Sequence, residues 1–105
     1  MTLRLTENLI GAVLIKPELF GSLLTVRTFG ECAEERLLRI VDAMEEVHRD
    51  RVPINLLTVY RKLRGRGSLA DVGGAAYLSS LTDDWDAVKE GISYLEYPWE
   101  SQSVQ

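Results

Sequence analysis

The sequence predicts an all-α fold, a compact bundle of about six helices, and three observations support this prediction. Apolar residues recur at helical spacings of three and four, proline and glycine fall between those segments, and no long stretch alternates apolar and polar residues. A length of 105 residues, with 46% hydrophobic and 27% charged residues, suits one soluble globular domain. We therefore expect a single helical domain over residues 1–100 and a frayed polar tail over residues 101–105.

Pro17 separates the first two predicted helices. Thr6 is the candidate N-cap of the first helix, which is expected to end near Lys16 because a proline disfavours helical geometry in the residue before it. Pro17 itself suits the first position of a short second helix over residues 17–24. The side chains expected to face the core from these two helices are Leu9, Ile10, Val13, Leu14, Leu19, Phe20, Leu23 and Leu24.

The clearest periodicity belongs to a long helix over residues 33–49. Its apolar face comprises Leu37, Ile40, Val41, Met44 and Val47, and charged residues occupy the opposite face. Pro53 follows this helix, and Asn55 is a candidate cap for the next one. The apolar repeat of that next helix comprises Leu56, Val59, Tyr60 and Leu63.

A glycine-rich connector follows over residues 65–74, where Leu69 and Val72 are the expected apolar contacts. A short helix over residues 75–81 is then predicted to direct Tyr77, Leu78 and Leu81 inward. Thr82 or Asp83 is the expected cap of the last helix, and Pro98 marks its end. The apolar repeat of that helix comprises Trp85, Val88, Ile92 and Leu95, and we expect Trp85 to lie in the core.

Several function classes are excluded by composition and missing motifs. The sequence contains no phosphate-binding loop of the Gly-x-x-x-x-Gly-Lys-Ser/Thr type, so ATP hydrolysis by this chain is not expected. Its single cysteine, Cys32, and single histidine, His48, are too few for a four-ligand zinc site, and each is interpreted as a packing or surface residue. We expect no catalytic residues, metal, cofactor, small-molecule ligand or membrane span. The N-terminus does not resemble a secretory signal, which indicates a cytoplasmic protein.

Two clusters are candidate contact sites. Four basic residues at the end of a helix, Arg61, Lys62, Arg64 and Arg66, form a candidate nucleic-acid contact, although cations also complement a helix C-terminus. The net charge of −4 argues against strong DNA binding, so direct DNA binding is expected to be weak or absent. The aromatic residues near the chain end, Tyr94, Tyr97 and Trp99, form a candidate protein interface.

The order of residues from Pro53 to Leu78 closely resembles the N-terminal domain of the bacterial replicative DNA helicase, DnaB. That family typically carries Pro-Ile-Asp, two hydrophobic residues and Thr, followed by Val/Ile-Gly-Gly-x-x-Tyr-Leu, and the spacing agrees without a gap across 26 positions. The earlier segment over residues 10–18 is similar to the family's Leu-Gly-Ala-hydrophobic-Leu-Leu-Asp-Pro-Glu. The residues that carry these motifs are Gly11, Pro17, Pro53, Asn55, Thr58, Gly73, Gly74, Tyr77 and Leu78.

The chain also departs from the family pattern. Asn55 stands where aspartate is usual, which preserves the capping chemistry. Residues 29–36 lack the family's approach to the long helix, and the resemblance covers only about residues 6–82. The sequence therefore leaves open whether the last helix replaces the family's continuation, and whether the chain is part of a longer helicase or a separate, for example phage-encoded, relative.

The resemblance implies a helical collar domain without catalytic residues, which assembles the subunits of a ring and receives a primase or a helicase loader. Its partners would be further copies of this chain, a primase, a helicase or a loader. Two alternatives stay open. One is a small helical DNA-binding regulator that uses Arg61, Lys62, Arg64 and Arg66, and the other is the helicase-binding domain of a primase, which has a related fold.

Overall fold

Six α-helices occur within residues 3–26 and 34–97, the part of the chain that the computed structural model of this protein describes. They are Leu3–Ile15 (α1), Phe20–Val26 (α2), Glu35–Arg49 (α3), Leu56–Gly65 (α4), Gly74–Ser80 (α5) and Trp85–Glu96 (α6). Short 3₁₀ helices at Pro17–Leu19 and Ala70–Val72 precede α2 and α5. No strand occurs in these two stretches, and the predicted all-α fold is confirmed.

The predictions that concern Cys32, Pro98, Trp99 and the tail over residues 101–105 lie outside the described residues.

The first and last helices, α1 and α6, lie side by side and run in the same direction. Arg4 pairs with Asp84 at the beginning of both helices, with 3.9 Å between Nη2 and Oδ2. Lys16 pairs with Glu96 at the other end. The Glu96 carboxylate, through this hydrogen bond, raises the pKa of the exposed Lys16 ammonium above its ordinary value. These two contacts mark the ends of the longest helix-to-helix interface in the fold.

Two glycines allow the backbones of α1 and α6 to approach closely. A Cβ placed on Gly91 of α6 would lie 2.2 Å from the carbonyl oxygen of Asn8 in α1. A Cβ placed on Gly11 of α1 would lie 2.2 Å from the carbonyl oxygen of Leu81, just before α6. Because backbone atoms cannot rotate away as a flexible side chain can, any larger residue at either position would push the two helices apart.

The core lies between α1, α3 and the remaining helices. The predicted apolar face of α3 is confirmed, since Leu37, Ile40, Val41, Met44 and Val47 are all buried. Val59 and Leu63 of α4, Val72 of the connector, and Leu78 of α5 complete the cluster, also as predicted. Burial of apolar side chains of this size contributes about 1.5 to 3 kcal/mol each, which makes this cluster the main source of stability.

A short turn joins α3 to α4 in an antiparallel hairpin, and Asn55 ends that turn as the predicted N-cap. Its Oδ1 accepts a hydrogen bond from the backbone N–H of Thr58, and Thr58 Oγ1 accepts one from the backbone N–H of Asn55, both at 2.9 Å. Thr58 Oγ1 also donates to the carbonyl oxygen of Pro53 at 2.8 Å. This reciprocal capping box satisfies N–H groups that the first turn of α4 would otherwise leave unpaired.

Tyr77 of α5 links three helices. Its hydroxyl donates a hydrogen bond of 2.5 Å to Oε2 of Glu7 in α1, and the guanidinium carbon of Arg36 in α3 lies 4.2 Å from the centre of its ring. Partial burial, and then the hydrogen bond to the Glu7 carboxylate, raise the pKa of the Tyr77 hydroxyl above its ordinary value of 10.0. Gly73, with φ of 107°, leaves the space for this ring, because a Cβ there would lie 2.8 Å from Cβ of Tyr77.

The predicted start of α1 and one predicted core residue of α2 are wrong. Thr6 is not an N-cap, because α1 includes residues from Leu3 onward and Thr6 is buried within it. The partly buried Leu5 packs against the core and favours the extra turn. Leu24 is 40% exposed, since Leu19, Phe20 and Leu23 already fill the contact between α2 and the core.

The predicted cap and buried face of α6 also need correction. Asp84, not Thr82 or Asp83, caps the helix, and its Oδ1 accepts a hydrogen bond of 3.2 Å from the backbone N–H of Ala87. Trp85 is 55% exposed and does not lie in the core. The buried face is made by Val88, Gly91 and Leu95, and Trp85 lies to one side of it.

Candidate docking surfaces

The four basic residues predicted as a nucleic-acid contact lie along the second half of α4 and at its C-cap, and two of them pair with acids of α3. Lys62 Nζ lies 3.0 Å from Oδ2 of Asp50, and Arg66 forms an ion pair with Glu46. Arg61 and Arg64 are exposed and form no ion pair with any side chain in residues 3–26 or 34–97. Only half of the predicted basic cluster therefore presents uncompensated charge.

A groove of about 470 Å³ separates the end of α3 from α4, and we call it the hairpin groove. Its lining combines apolar, acidic and basic side chains: Glu46, Val47, Asp50, Val52, Thr58, Arg61, Lys62, Gly65 and Arg66. The pairs Glu46–Arg66 and Asp50–Lys62 cross the groove, so its acids are already neutralised. Arg61 is the lining cation without an acidic partner in the described parts of the chain.

Arg51, between two residues that line the hairpin groove, has an unusual backbone conformation. Its φ of 61° is the only positive value among described residues other than glycine. The N–H of Arg51 bonds to the carbonyl of His48 at 3.0 Å, and the N–H of Val52 bonds to that of Val47 at 3.1 Å. These bonds form a Schellman motif, in which the left-handed position normally holds glycine. An L side chain costs about 1 to 2 kcal/mol there.

The end of α4 uses the same motif with glycine. The N–H of Gly67, at φ of 74°, bonds to the carbonyl of Arg64, and the N–H of Ser68 bonds to that of Leu63. Arg51 and Gly67 thus occupy equivalent positions at the ends of two successive helices.

An apolar hollow of about 390 Å³ lies on another face of α4, between this helix and α5. This α4–α5 hollow is lined by Leu56, Leu57, Tyr60, Ala75, Leu78 and Ser79. Leu57 is 54% exposed at its edge, although it is a large aliphatic residue. The sequence-based reasoning missed Leu57, because it assigned only the buried stripe of α4 and did not ask which apolar residues lie outside it.

The predicted aromatic interface is only partly described. Tyr94 is partly buried and packs against the core, whereas Tyr97 is exposed at the end of α6. Tyr97 lines a hollow of about 380 Å³ together with Trp85, Ile92 and the charged residues around them. Trp99, the third member of the predicted interface, lies outside the described residues, so the role of this cluster stays a prediction.

The residues that carry the family motifs occupy structural positions. Gly11 allows the contact of α1 with Leu81, Pro17 begins the first 3₁₀ helix, and Gly73 and Gly74 have positive φ values before α5. The remaining members of this set are the capping and packing residues described above: Pro53, Asn55, Thr58, Tyr77 and Leu78.

Neither a metal site nor a membrane span is found in the described parts of the chain. Within residues 3–26 and 34–97, no three His, Cys, Asp or Glu residues are grouped in a way that could hold a metal ion. None of the helices described there is both long and apolar enough to cross a membrane. His48 is exposed, and its ring lies 5.2 Å from that of Phe20, a packing contact.

Comparison with known proteins extends the resemblance to the whole described fold. The family model for the DnaB-like helicase N terminal domain matches residues 3–97. This match includes α6, which corrects the expectation that the resemblance ends near residue 82. The crystal structure of the N-terminal domain of DnaB helicase from Mycobacterium tuberculosis has the same fold, with a TM-score of 0.74 and 21% identity, and the alignment covers 99% of this chain and 78% of that one.

Two curated relatives are replicative helicases. The replicative DNA helicase DnaB of Pasteurella multocida (strain Pm70) is 29% identical over 93 residues, which are 89% of this chain and 20% of that protein. The replicative DNA helicase DnaB of Rhodothermus marinus is 35% identical over 81 residues, which are 74% of this chain and 8% of that protein. This chain thus spans a fifth or less of the length of these relatives. With residues 3–97 matched by the family model and the fold shared, the chain belongs to the family of DnaB-like helicase N-terminal domains.

Proposed function

We propose that this chain acts in DNA replication as a non-catalytic helicase collar domain, which assembles subunits and docks a primase or a helicase loader. Family membership supports the link to replication, and the matched region in both relatives is a small part of a longer helicase. In such a domain, protein-facing surfaces would carry the function. We further propose that residues 1–100 form this domain as a single unit.

The α4–α5 hollow is the observation that carries the docking proposal. Its walls are almost wholly aliphatic or aromatic, and Leu57 remains more than half exposed beside Tyr60 and Ala75. A concave apolar surface of this kind is stabilised when a side chain of another protein covers it and displaces water. The volume of about 390 Å³ admits one or two large side chains of a partner.

The rigid surroundings of the hollow favour docking without rearrangement. Asn55 and Thr58 fix the first turn of α4 from which Leu57 projects, and the buried Leu78 holds α5 on the core. A partner that binds here therefore meets a preformed surface and loses less conformational entropy than one that must order a loop.

Binding and self-association of the purified chain test this function. We expect light scattering after size-exclusion chromatography to show self-association, or a pull-down to recover the primase, helicase or loader of the same host. Leu57→Asp should weaken that interaction at least tenfold, because it places a charge in an apolar contact. Leu38→Asp is the matched control, since Leu38 is also an exposed leucine on a helix but lies outside the hollow.

Two results would contradict the proposal. A chain that stays monomeric at about 100 µM and binds none of the three replication proteins would have no collar role. Equal weakening by Leu57→Asp and Leu38→Asp would keep a docking role but remove the hollow as its location.

A further inference from the structure

We propose that the hairpin groove is a second docking site, which binds an acidic peptide segment of a partner protein. The segment would place an apolar side chain against Val52 and its carboxylates near Arg51 and Arg61. This site lies on a different face of α4 from the α4–α5 hollow, so it can be occupied independently of the collar function.

The charge balance of the groove selects an anionic partner. Glu46 and Asp50 are each paired with a cation of α4, and these pairs leave no net charge. Arg61 lines the groove, Arg51 lies in the chain between two lining residues, and Arg64 lies one turn further along α4. None of the three has an acidic partner among the residues described. The groove therefore presents net positive charge on a chain whose total is −4, which favours an acidic segment at this face.

The apolar part of the groove gives the partner a second requirement. Val52 and Val47 line it, at the position where a Schellman motif brings its two apolar residues together. Val52 is partly exposed. An apolar side chain of the partner that packs on Val52 would therefore remove apolar surface of both residues from water. Charge and apolar contact together define an acidic segment with one aliphatic or aromatic anchor.

The strained conformation of Arg51 provides independent support. At the end of α4 the equivalent position is Gly67, which adopts the left-handed backbone without strain. At the end of α3 the chain holds an arginine there instead, at a cost in stability, between Asp50 and Val52, which both line the groove. A binding role for that guanidinium accounts for the difference between the two helix ends.

A peptide fits these observations better than a nucleic acid. A concave hollow of about 470 Å³ suits a few side chains, whereas duplex binding normally uses a broad basic surface.

Fluorescence anisotropy with a defined probe tests the proposal. The probe is a fluorescein-labelled peptide, Gly-Asp-Glu-Leu-Asp-Glu-Leu-Gly, with two controls: the same peptide with serine in place of leucine, and a labelled duplex of mixed sequence. We expect saturable binding of the leucine peptide, and binding about fivefold weaker for the serine peptide. Arg61→Gln and Arg51→Gly should each weaken binding of the leucine peptide about fivefold.

Arg51→Gly separates binding from folding, because it relieves backbone strain while it removes the guanidinium. We expect this variant to unfold at a higher urea concentration than the wild-type chain and yet to bind the peptide less tightly. Lys89→Gln is the matched control for charge, since Lys89 is an exposed cation of α6 outside the hairpin groove, and this variant should bind like the wild type.

Three outcomes would overturn the proposal. One is the absence of saturable peptide binding up to about 1 mM. Another is equal weakening by Lys89→Gln and Arg61→Gln, which would indicate attraction by overall charge alone. The third is tighter binding of the duplex than of the peptide, with a steep dependence on salt, which would assign Arg61 and Arg64 to a nucleic-acid contact.

Discussion

The α1–α6 pair and the α3–α4 hairpin are both contacts between two helices. Backbone atoms approach each other closely in the first, whereas charged side chains face each other across the second. In the first, Gly11 and Gly91 bring backbone against backbone, and no space remains for a single methyl group. In the second, ion pairs such as Asp50–Lys62 span an open groove. The first contact tolerates almost no substitution, whereas the second leaves charged and apolar groups accessible. The closest backbone contact and the accessible groove thus lie at different helix pairs.

The α1–α6 contact can be broken by one methyl group, and this is the largest effect we expect. Gly91→Ala should lower the free energy of unfolding by about 3 kcal/mol or more, because its Cβ would overlap the carbonyl oxygen of Asn8. Urea unfolding followed by circular dichroism measures this change.

Gly21→Ala is the matched control, since nothing lies within 4 Å of its Cβ. It should raise stability by up to about 1 kcal/mol, as alanine favours a helix. Similar urea midpoints for Gly91→Ala and the wild type would contradict the close backbone contact.

The hairpin depends instead on its turn, and Asn55 is the residue to change. Asn55→Ala should cost about 1 to 2 kcal/mol, because it removes the Oδ1 that accepts the hydrogen bond from the backbone N–H of Thr58. Asn55→Asp should stay within about 0.5 kcal/mol of the wild type, since aspartate is an equally good N-cap. Thermal unfolding compares the two variants, and an equal loss of stability in both would show that capping is not the cause.

Tyr77 contacts Glu7 in α1 and Arg36 in α3, so it connects the α1–α6 pair to the hairpin. Changing Tyr77 tests how much this connection contributes to stability. Tyr77→Phe should cost about 0.5 to 1 kcal/mol at neutral pH, through the lost hydrogen bond to Glu7. The pH dependence has a definite sign. Because the folded state raises the pKa of Tyr77, its contribution is complete below the ordinary value of 10.0 and is lost as pH rises above that value.

The free energy of unfolding between about pH 9 and 11 should therefore fall more steeply in the wild type than in Tyr77→Phe. Urea unfolding at several pH values measures both slopes, and the other tyrosines and lysines contribute equally to the two proteins. Parallel slopes would show that folding does not raise the pKa of the Tyr77 hydroxyl.

The ion pairs across the hairpin groove should give the smallest effect. In a double-mutant cycle with Asp50→Asn and Lys62→Gln, we expect a coupling energy of about 0.5 kcal/mol or less, because both side chains are partly exposed. The coupling should weaken in about 1 M salt, where the Debye length falls to about 3 Å. A coupling above about 2 kcal/mol would mean that the hairpin, too, depends on a specific close contact.

The hairpin was largely predictable from the sequence because its signals are local. The apolar stripe of α3 is regular over about three turns, Pro53 follows the helix, and Asn55 with Thr58 forms a capping signature within four residues. The resemblance to the helicase family rested on residues 10–18 and 53–78, and the second of these segments includes α4 of the hairpin. Its fold was confirmed, and the family match proved longer than the quoted motifs.

The face of α6 was predicted wrongly, because the sequence-based reasoning selected the bulkiest apolar residues. Val88, Gly91 and Leu95 form the buried face, and Trp85 lies about 90° around the helix from its centre. Because a glycine has no side chain, it does not appear in an apolar stripe, and Gly91 was not predicted to lie on the buried face. It nevertheless lies where the backbones of the two helices are in close contact. Backbone-to-backbone contacts of this kind depend on the partner helix, which lies far away in the sequence.

For the hairpin groove, the sequence predicted only the basic residues. The spacing of Arg61 and Lys62 revealed a basic cluster, but the pairing of Lys62 with Asp50 and of Arg66 with Glu46 joins different helices. Nor could spacing reveal the positive φ of Arg51, since that conformation follows from how α3 turns into the hairpin. The basic cluster was therefore identified, whereas the mixed groove around it required the structure.

The pairing of the first and last helices has a consequence for how the domain forms during synthesis. Lys16 and Glu96, which pair at one end of this interface, are 80 positions apart in the chain. A ribosome therefore releases α1 long before α6, and the surface around Gly11 stays uncovered while the middle of the domain is made. Contacts between such distant segments slow the folding of helical proteins, which otherwise fold fast through local contacts. The hairpin can form early on a nascent chain, and α6 completes the domain last.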